Sequence, residues 1–189
     1  MQVFADIKRS IIVLKKNNYI DGGKVMLDFS DFNQLINKYS ECKEIFNLQD
    51  NWENERAFQK LISLRSVIPK KLYAMCLYKL FVTDIDEVLV DTLIEAFSGI
   101  DREDIMFEED LVKYNSFPEK ITIYRGSQNP NEEKPRISWS LLQNVANNFA
   151  TAHMFKATIS KEDVIAYFSQ NGDEEEILAV VGDNFEKIY

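Results

Sequence analysis

The chain has 189 residues, 46% of them hydrophobic and 28% charged, with thirteen Phe, eight Tyr and two Trp against six Gly and four Pro. That composition excludes collagen-like, low-complexity and disordered classes and predicts one domain with a sizeable core. Twenty-two basic against 31 acidic residues give a net charge of -9. Such a balance argues against nucleic acid as a default partner, because non-specific affinity for phosphate backbones comes from Lys and Arg releasing counterions.

In chain order, Met1 to Lys16 carries only the short apolar stretch Ile11 to Leu14, flanked by charge, which fits neither a signal peptide nor a membrane span. No other segment reaches a membrane-spanning length, so a reducing, cytoplasmic compartment is the expectation. From Asp31 to Asn47 the residues Phe32, Leu35, Ile36, Tyr39, Cys42, Ile45 and Phe46 recur at steps of three and four behind Ser30, which predicts one amphipathic helix with Ser30 as N-cap. A second helical run starts near Trp52, carries Phe58, Leu61, Ile62, Leu64 and Arg65, and stops before Pro69. A third, Lys70 to Val82, is apolar on more than one side and is expected at the centre of the helical layer. The fourth, Ile85 to Phe97, is closed by Ser98-Gly99.

Beyond Phe117-Pro118 the pattern shifts to period two and β-branched residues. Ile121 to Gly126 reads as a strand, Ser127 to Pro135 as a loop, Arg136 to Ser140 as a second strand, and Leu141 to Ala152 as a helix. Short strands over Phe155 to Ile159, Val164 to Phe168 and Ile177 to Val181 complete the set. The predicted class is therefore α+β: a helical lobe over 1–117, then a small mixed or antiparallel sheet lobe over 118–189. Residues 56 to 79 hold six basic and no acidic side chains, and residues 84 to 110 hold eleven acidic and one basic, which predicts neighbouring helices with complementary solvated faces. Cys42 and Cys76 are too few for a disulfide framework or a zinc cluster and are expected to be free and packed in helices. No metal site is expected, since His153, the one histidine, lies far from both cysteines.

Three stretches of the C-terminal lobe carry chemistry. At the end of the first strand, Tyr124-Arg125-Gly126 presents a fork of guanidinium donors suited to a diphosphate or carboxylate, beside a glycine that admits close approach. Taken alone, such an arginine more often serves as a structural ion-pair partner. Ser138-Trp139-Ser140 places two hydroxyls on one strand face and a ring on the other, with Trp139 expected in the core and Ser140 able to cap the following helix. The run Asp173-Glu174-Glu175-Glu176 leads into the apolar strand Ile177 to Val181. If the strand begins near Glu174, then Glu174 and Glu176 share a face and Glu175 turns away. A triple Glu is ordinarily a solvated strand entry, but two carboxylates held side by side can do general-base and cation-stabilising work.

In order, these stretches resemble the Arg-Ser-Glu, cholera-toxin-like class of mono-ADP-ribosyltransferases, phage and bacterial members in particular. The resemblance covers residues 120 to 182: Arg125 in Tyr-Arg-Gly, Ser138 with Ser140, a helix ending Asn148-Phe149-Ala150, and Glu174 with Glu176 opening an apolar strand. It departs from the family in a gap of only thirteen residues between Arg125 and Ser138, and in Trp139 where Thr usually stands between the serines. The resemblance implies that NAD is a substrate and a protein is the acceptor. Glu176 would stabilise the oxocarbenium-like ribose and hydrogen-bond its 2′-hydroxyl, and Ser138 would fix Glu176. Glu174 would orient or deprotonate the acceptor, an arginine because the position is Glu rather than Gln. Arg125 would hold the NAD phosphates, with Tyr124, Gly126, Ser140 and Phe149 completing the NAD-binding set. The stretch from Tyr167 to Asp173 would meet the protein substrate, with Tyr167 and Phe168 as candidate aromatic contacts and sheet packing competing for at least one of them. A cognate antitoxin or a host protein is the kind of partner implied. Two other readings share the motifs: an NAD glycohydrolase whose acceptor is water, and an inactive binding module. Convergence of Arg125, Ser138 and Glu176 in one cleft is the geometric test between catalytic and non-catalytic readings.

Overall fold

The computed structural model describes residues 27–83, 85, 88–169 and 174–189. The Met1 to Lys16 segment and Asp173 lie outside the described residues. Among those described, eight helices precede or interrupt a six-stranded sheet, and most of the helices are N-terminal. None of these helices is long and apolar enough to cross a membrane.

The predicted helix from Asp31 to Asn47 is two helices, α1 (Phe32–Lys38) and α2 (Cys42–Asp50). Tyr39, at φ -115° and ψ 77°, leaves the helical region between them. In one straight helix, Phe32 and Phe46 would stand about 21 Å apart along the axis. The break instead brings their rings edge to face at 5.9 Å. Ser30 caps neither helix: its hydroxyl is held by the Asp28 carboxylate at 2.7 Å, and Asp31 takes the N-cap place. The second run is also shorter than predicted. Helix α3 spans Asn54–Ser63, because Trp52 sits at φ +63° and is 76% exposed, ahead of the helix start. Arg65, past its C-terminus, reaches the Glu95 and Ala96 carbonyls.

Helix α4 (Lys70–Phe81) buries eight of its twelve residues and is central, as its all-round apolarity predicts. Helix α5 (Val90–Phe97) starts five residues later than the periodicity suggests and ends at Ser98, with Gly99 in the left-handed region at φ +77°. Two short helices follow in the acidic stretch, α6 (Arg102–Ile105) and α7 (Glu108–Asn115). The predicted charge complementarity is visible where Lys70 meets Asp101 at 2.5 Å and Asp104 at 2.6 Å. Half-exposed, these pairs shape the surface more than they stabilise it.

The strands are β1 (Lys120–Ser127), β2 (Ser138–Ser140), β3 (His153–Ser160), β4 (Val164–Phe168), β5 (Glu176–Ala179) and β6 (Phe185–Lys187), with helix α8 (Gln143–Phe149) between β2 and β3. Strand order is β4-β5-β2-β1-β3-β6 and every pairing is antiparallel. The three-residue edge strand β6 is too short to leave a periodic signal in the sequence. Arg136 and Ile137 precede β2, and α8 is shorter at both ends than predicted.

One apolar core joins helices to sheet. Phe168 packs against Tyr78 at 5.2 Å and Phe81 at 5.9 Å, and Tyr167 packs edge to face on Phe117 at 5.1 Å. Both are fully buried, so neither is placed to meet a protein substrate, and core packing accounts for the two together. Cys42 and Cys76 are free and buried, as expected.

Candidate active site

Strand pairing assembles the site. Tyr124 of β1 stands opposite Ser140 of β2, and Ser140 stands opposite Glu176 of β5. Ser138, paired with Leu178, is thus the diagonal neighbour of Glu176 on the same sheet face, within side-chain reach. The Ser138 hydroxyl donates to Glu176 Oε1 at 2.5 Å. Glu176 is 8% exposed and opens its strand. Next along, Arg125 donates from a terminal guanidinium nitrogen to the Ser138 carbonyl at 3.0 Å. These residues line one cleft of about 690 Å³, together with Tyr124, Gly126, Ser140, Phe149 and Glu174. Every residue predicted for catalysis or NAD binding is therefore brought to the same cavity, whereas Tyr167 and Phe168 are not.

Gly126 is where helix α8 presses on the sheet. A β-carbon there would lie 2.0 Å from the Ala146 carbonyl oxygen and 2.6 Å from the Ala150 amide, so no side chain fits. The missing side chain admits the helix backbone at a residue that also lines the cleft. That contact brings Phe149, at the end of α8, to the cleft wall, 44% exposed. Ser140 is buried and bridges two segments: its hydroxyl donates to the Glu174 carbonyl at 2.6 Å and accepts the Leu142 amide at 2.9 Å, just ahead of α8. Trp139 points into the core, as strand alternation requires.

Glu174 and Glu176 both line the cleft and Glu175 does not, yet alternation is not the cause. β5 begins only at Glu176, and Glu175 adopts φ +47°, a left-handed turn that sets the two outer residues on the same side. The Glu175 carboxylate is taken by the Tyr167 hydroxyl at 2.6 Å. Burial pushes the Glu174 carboxyl above the ordinary carboxylate range.

Glu132 is a site residue that sequence reasoning missed. Its carboxylate accepts the Arg125 Nε–H at 3.1 Å and the Ser127 hydroxyl, and Arg125 and Glu132 are only 15% and 10% exposed. Arg125 and Ser127 share a face of β1, so two donors converge there. This alternation could have flagged Ser127, whereas Glu132 comes from a loop whose path no periodicity predicts. His153 holds that loop, its Nε2 lying 2.9 Å from the Pro130 carbonyl. Among the described residues no group of three or more His, Cys, Asp or Glu is arranged to hold a metal ion.

Comparison with known proteins supplies no relative: no family model, curated protein or solved structure matches the chain.

Proposed function

We propose that this protein is a mono-ADP-ribosyltransferase of the Arg-Ser-Glu class, which transfers ADP-ribose from NAD to an arginine side chain of a protein acceptor and releases nicotinamide. The observation that carries the reading is the Ser138–Glu176 hydrogen bond at 2.5 Å, in a cleft that Arg125 and Glu174 also line. The antiparallel sheet behind a helical lobe is in keeping with the transferase fold that the motifs imply.

On this reading the bond between nicotinamide nitrogen and ribose C1′ breaks, the electron pair leaves with nicotinamide, and positive charge develops on the ribose. Glu176, held by Ser138, stabilises that charge from a largely dehydrated position. A guanidinium nitrogen of the acceptor attacks C1′ and gives up a proton to Glu174. Burial raises the affinity of Glu174 for protons, which makes it a stronger base than an exposed carboxylate. Arg125 binds the diphosphate, and Phe149 and Tyr124 supply the apolar walls.

The test supplies NAD with agmatine, a small guanidinium acceptor, and measures nicotinamide release and ADP-ribosylagmatine. Glu176→Ala is expected to lose both activities, whereas Glu174→Ala loses transfer and keeps slow hydrolysis. Absence of NAD turnover with any acceptor, together with no protection of the fold by NAD against heat, overturns the proposal. Equal hydrolysis with and without acceptor, and no transfer, assigns a glycohydrolase instead.

A further inference from the structure

Glu175 separates the two cleft carboxylates, and the way it is held has a purpose that strand alternation does not supply. A left-handed turn at a non-glycine residue is unfavourable by itself. Three contacts maintain this one. Ser140 fixes the Glu174 carbonyl at 2.6 Å, the Leu141 amide donates to the Glu175 carbonyl at 3.0 Å, and the Tyr167 hydroxyl anchors the Glu175 carboxylate at 2.6 Å. Only the last acts on a side chain of the turn. Tyr167 is a rigid anchor: its ring is fully buried against Phe117, and its amide faces the Met106 sulfur at 3.4 Å. Neither Tyr167 nor Glu175 lines the cleft.

We propose that Tyr167 is a positioning residue of the site, one that draws the Glu175 side chain away from the cleft and thereby holds Glu174 in the cleft beside Glu176. The proposal rests on the transferase reading, in which Glu174 engages the acceptor. Nearby, Asp110 takes the Ser169 amide at 3.0 Å and hydroxyl at 2.5 Å, which ties the residue just after β4 to the helical lobe.

Tyr167→Phe removes only the hydroxyl. The expected result is a fall of roughly tenfold in the ratio of agmatine transfer to NAD hydrolysis, the order of one hydrogen bond to a charged group, with KM for NAD unchanged. Glu175→Ala is expected to do the same. Glu175→Gln, whose amide oxygen still accepts the hydroxyl but carries no charge, is expected to give a ratio between those of wild type and Glu175→Ala. A merely structural role lowers transfer and hydrolysis together and leaves their ratio alone, so a wild-type ratio in both Tyr167→Phe and Glu175→Ala overturns the inference. A second readout needs no activity: carboxyl-carbon NMR titration of Glu174, assigned with Glu174→Gln. Its raised titration is expected to move towards the ordinary carboxylate range in Tyr167→Phe as the carboxyl leaves the cleft, and an unmoved titration overturns the inference. A wild type inert towards NAD refutes the transferase reading, while this titration still decides whether Tyr167 places Glu174.

Discussion

If Arg125 binds a diphosphate, Glu132 stands in the way, and Glu132→Gln measures by how much. In the free protein the Glu132 carboxylate uses Arg125 Nε at 3.1 Å and the Ser127 hydroxyl, with both ion-pair partners nine-tenths or nearly so removed from water. A hydrogen bond to a charged group contributes about 1.5–3 kcal/mol net. An incoming diphosphate restores the donors' bonds, and the displaced carboxylate recovers hydration, so the opposing term is close to one such bond, about 1.5–2 kcal/mol. That corresponds to a 10- to 30-fold weakening of anion binding at about 1.4 kcal/mol per decade. Gln keeps the shape and an acceptor oxygen but loses the charge that competes with phosphate. Titration calorimetry with ADP-ribose, which carries the diphosphate and has no nicotinamide to lose, is expected to give a Kd about tenfold lower for Glu132→Gln. Loss of the ionic partner is expected to lower Tm by about 2–4 °C, the equivalent of roughly 1 kcal/mol in a chain of this size. An unchanged or weaker affinity for ADP-ribose refutes the reasoning and makes Glu132 the residue that orients Arg125 for its ligand.

Two further outcomes concern stability. Gly126→Ala places a methyl group against the α8 backbone, where a β-carbon would lie 2.0 Å from the Ala146 carbonyl oxygen, so the helix must move. A loss of about 2–3 kcal/mol, read as a fall in Tm of roughly 5–10 °C, is expected. A Tm within a degree of wild type would show that α8 yields freely. Asp110 is fully buried, with one carboxylate oxygen bonded to Ser169 and the other without a partner among the described residues, and burial holds its pKa above the ordinary value of 3.8. A group whose folded pKa is raised contributes stability that is fully present below pH 3.8 and is lost as pH rises through the folded value. Asp110→Asn cannot ionise, so its Tm relative to wild type is expected to increase from pH 4 to pH 7, where the other carboxylates cancel in the difference. A Tm difference that is flat or decreases over that range excludes a raised Asp110.

What was legible in the sequence were the features fixed by local periodicity. Val164 to Phe168 and the central helix from Lys70 declare themselves through β-branched and apolar runs, and strand alternation alone places Trp139 inward and Ser138 outward. Arg125, Ser138 and Glu176 were legible for the same reason: each lies on a strand, where a two-residue period fixes the side-chain face before the fold is known. The misses share the opposite property. The break at Tyr39 is imposed by the need for Phe32 and Phe46 to meet over the same core, a demand that no local pattern records. Glu132 reaches Arg125 from a loop, and its neighbour Glu133 has the same side chain but remains exposed.

The Glu174-Glu175-Glu176 run lies between these cases. The expectation that its outer carboxylates face one way is met, but through a left-handed residue rather than through a pleated strand. A strand would have held Glu174 through backbone pairing on both sides, leaving its direction insensitive to any one side chain. A turn instead makes that direction depend on the few groups that fix it, Ser140 and Tyr167 among them. The two carboxylates therefore differ in rigidity although they are two residues apart. Glu176 is set by the β2–β5 ladder and the Ser138 hydroxyl, which on the proposed transferase reading suits a group that must meet charge developing at one fixed atom. Glu174 is set by replaceable tethers, which on the same reading suits a group that faces an acceptor arriving on another molecule. The separation of hydrolysis from transfer expected of Tyr167→Phe rests on that difference in backbone support.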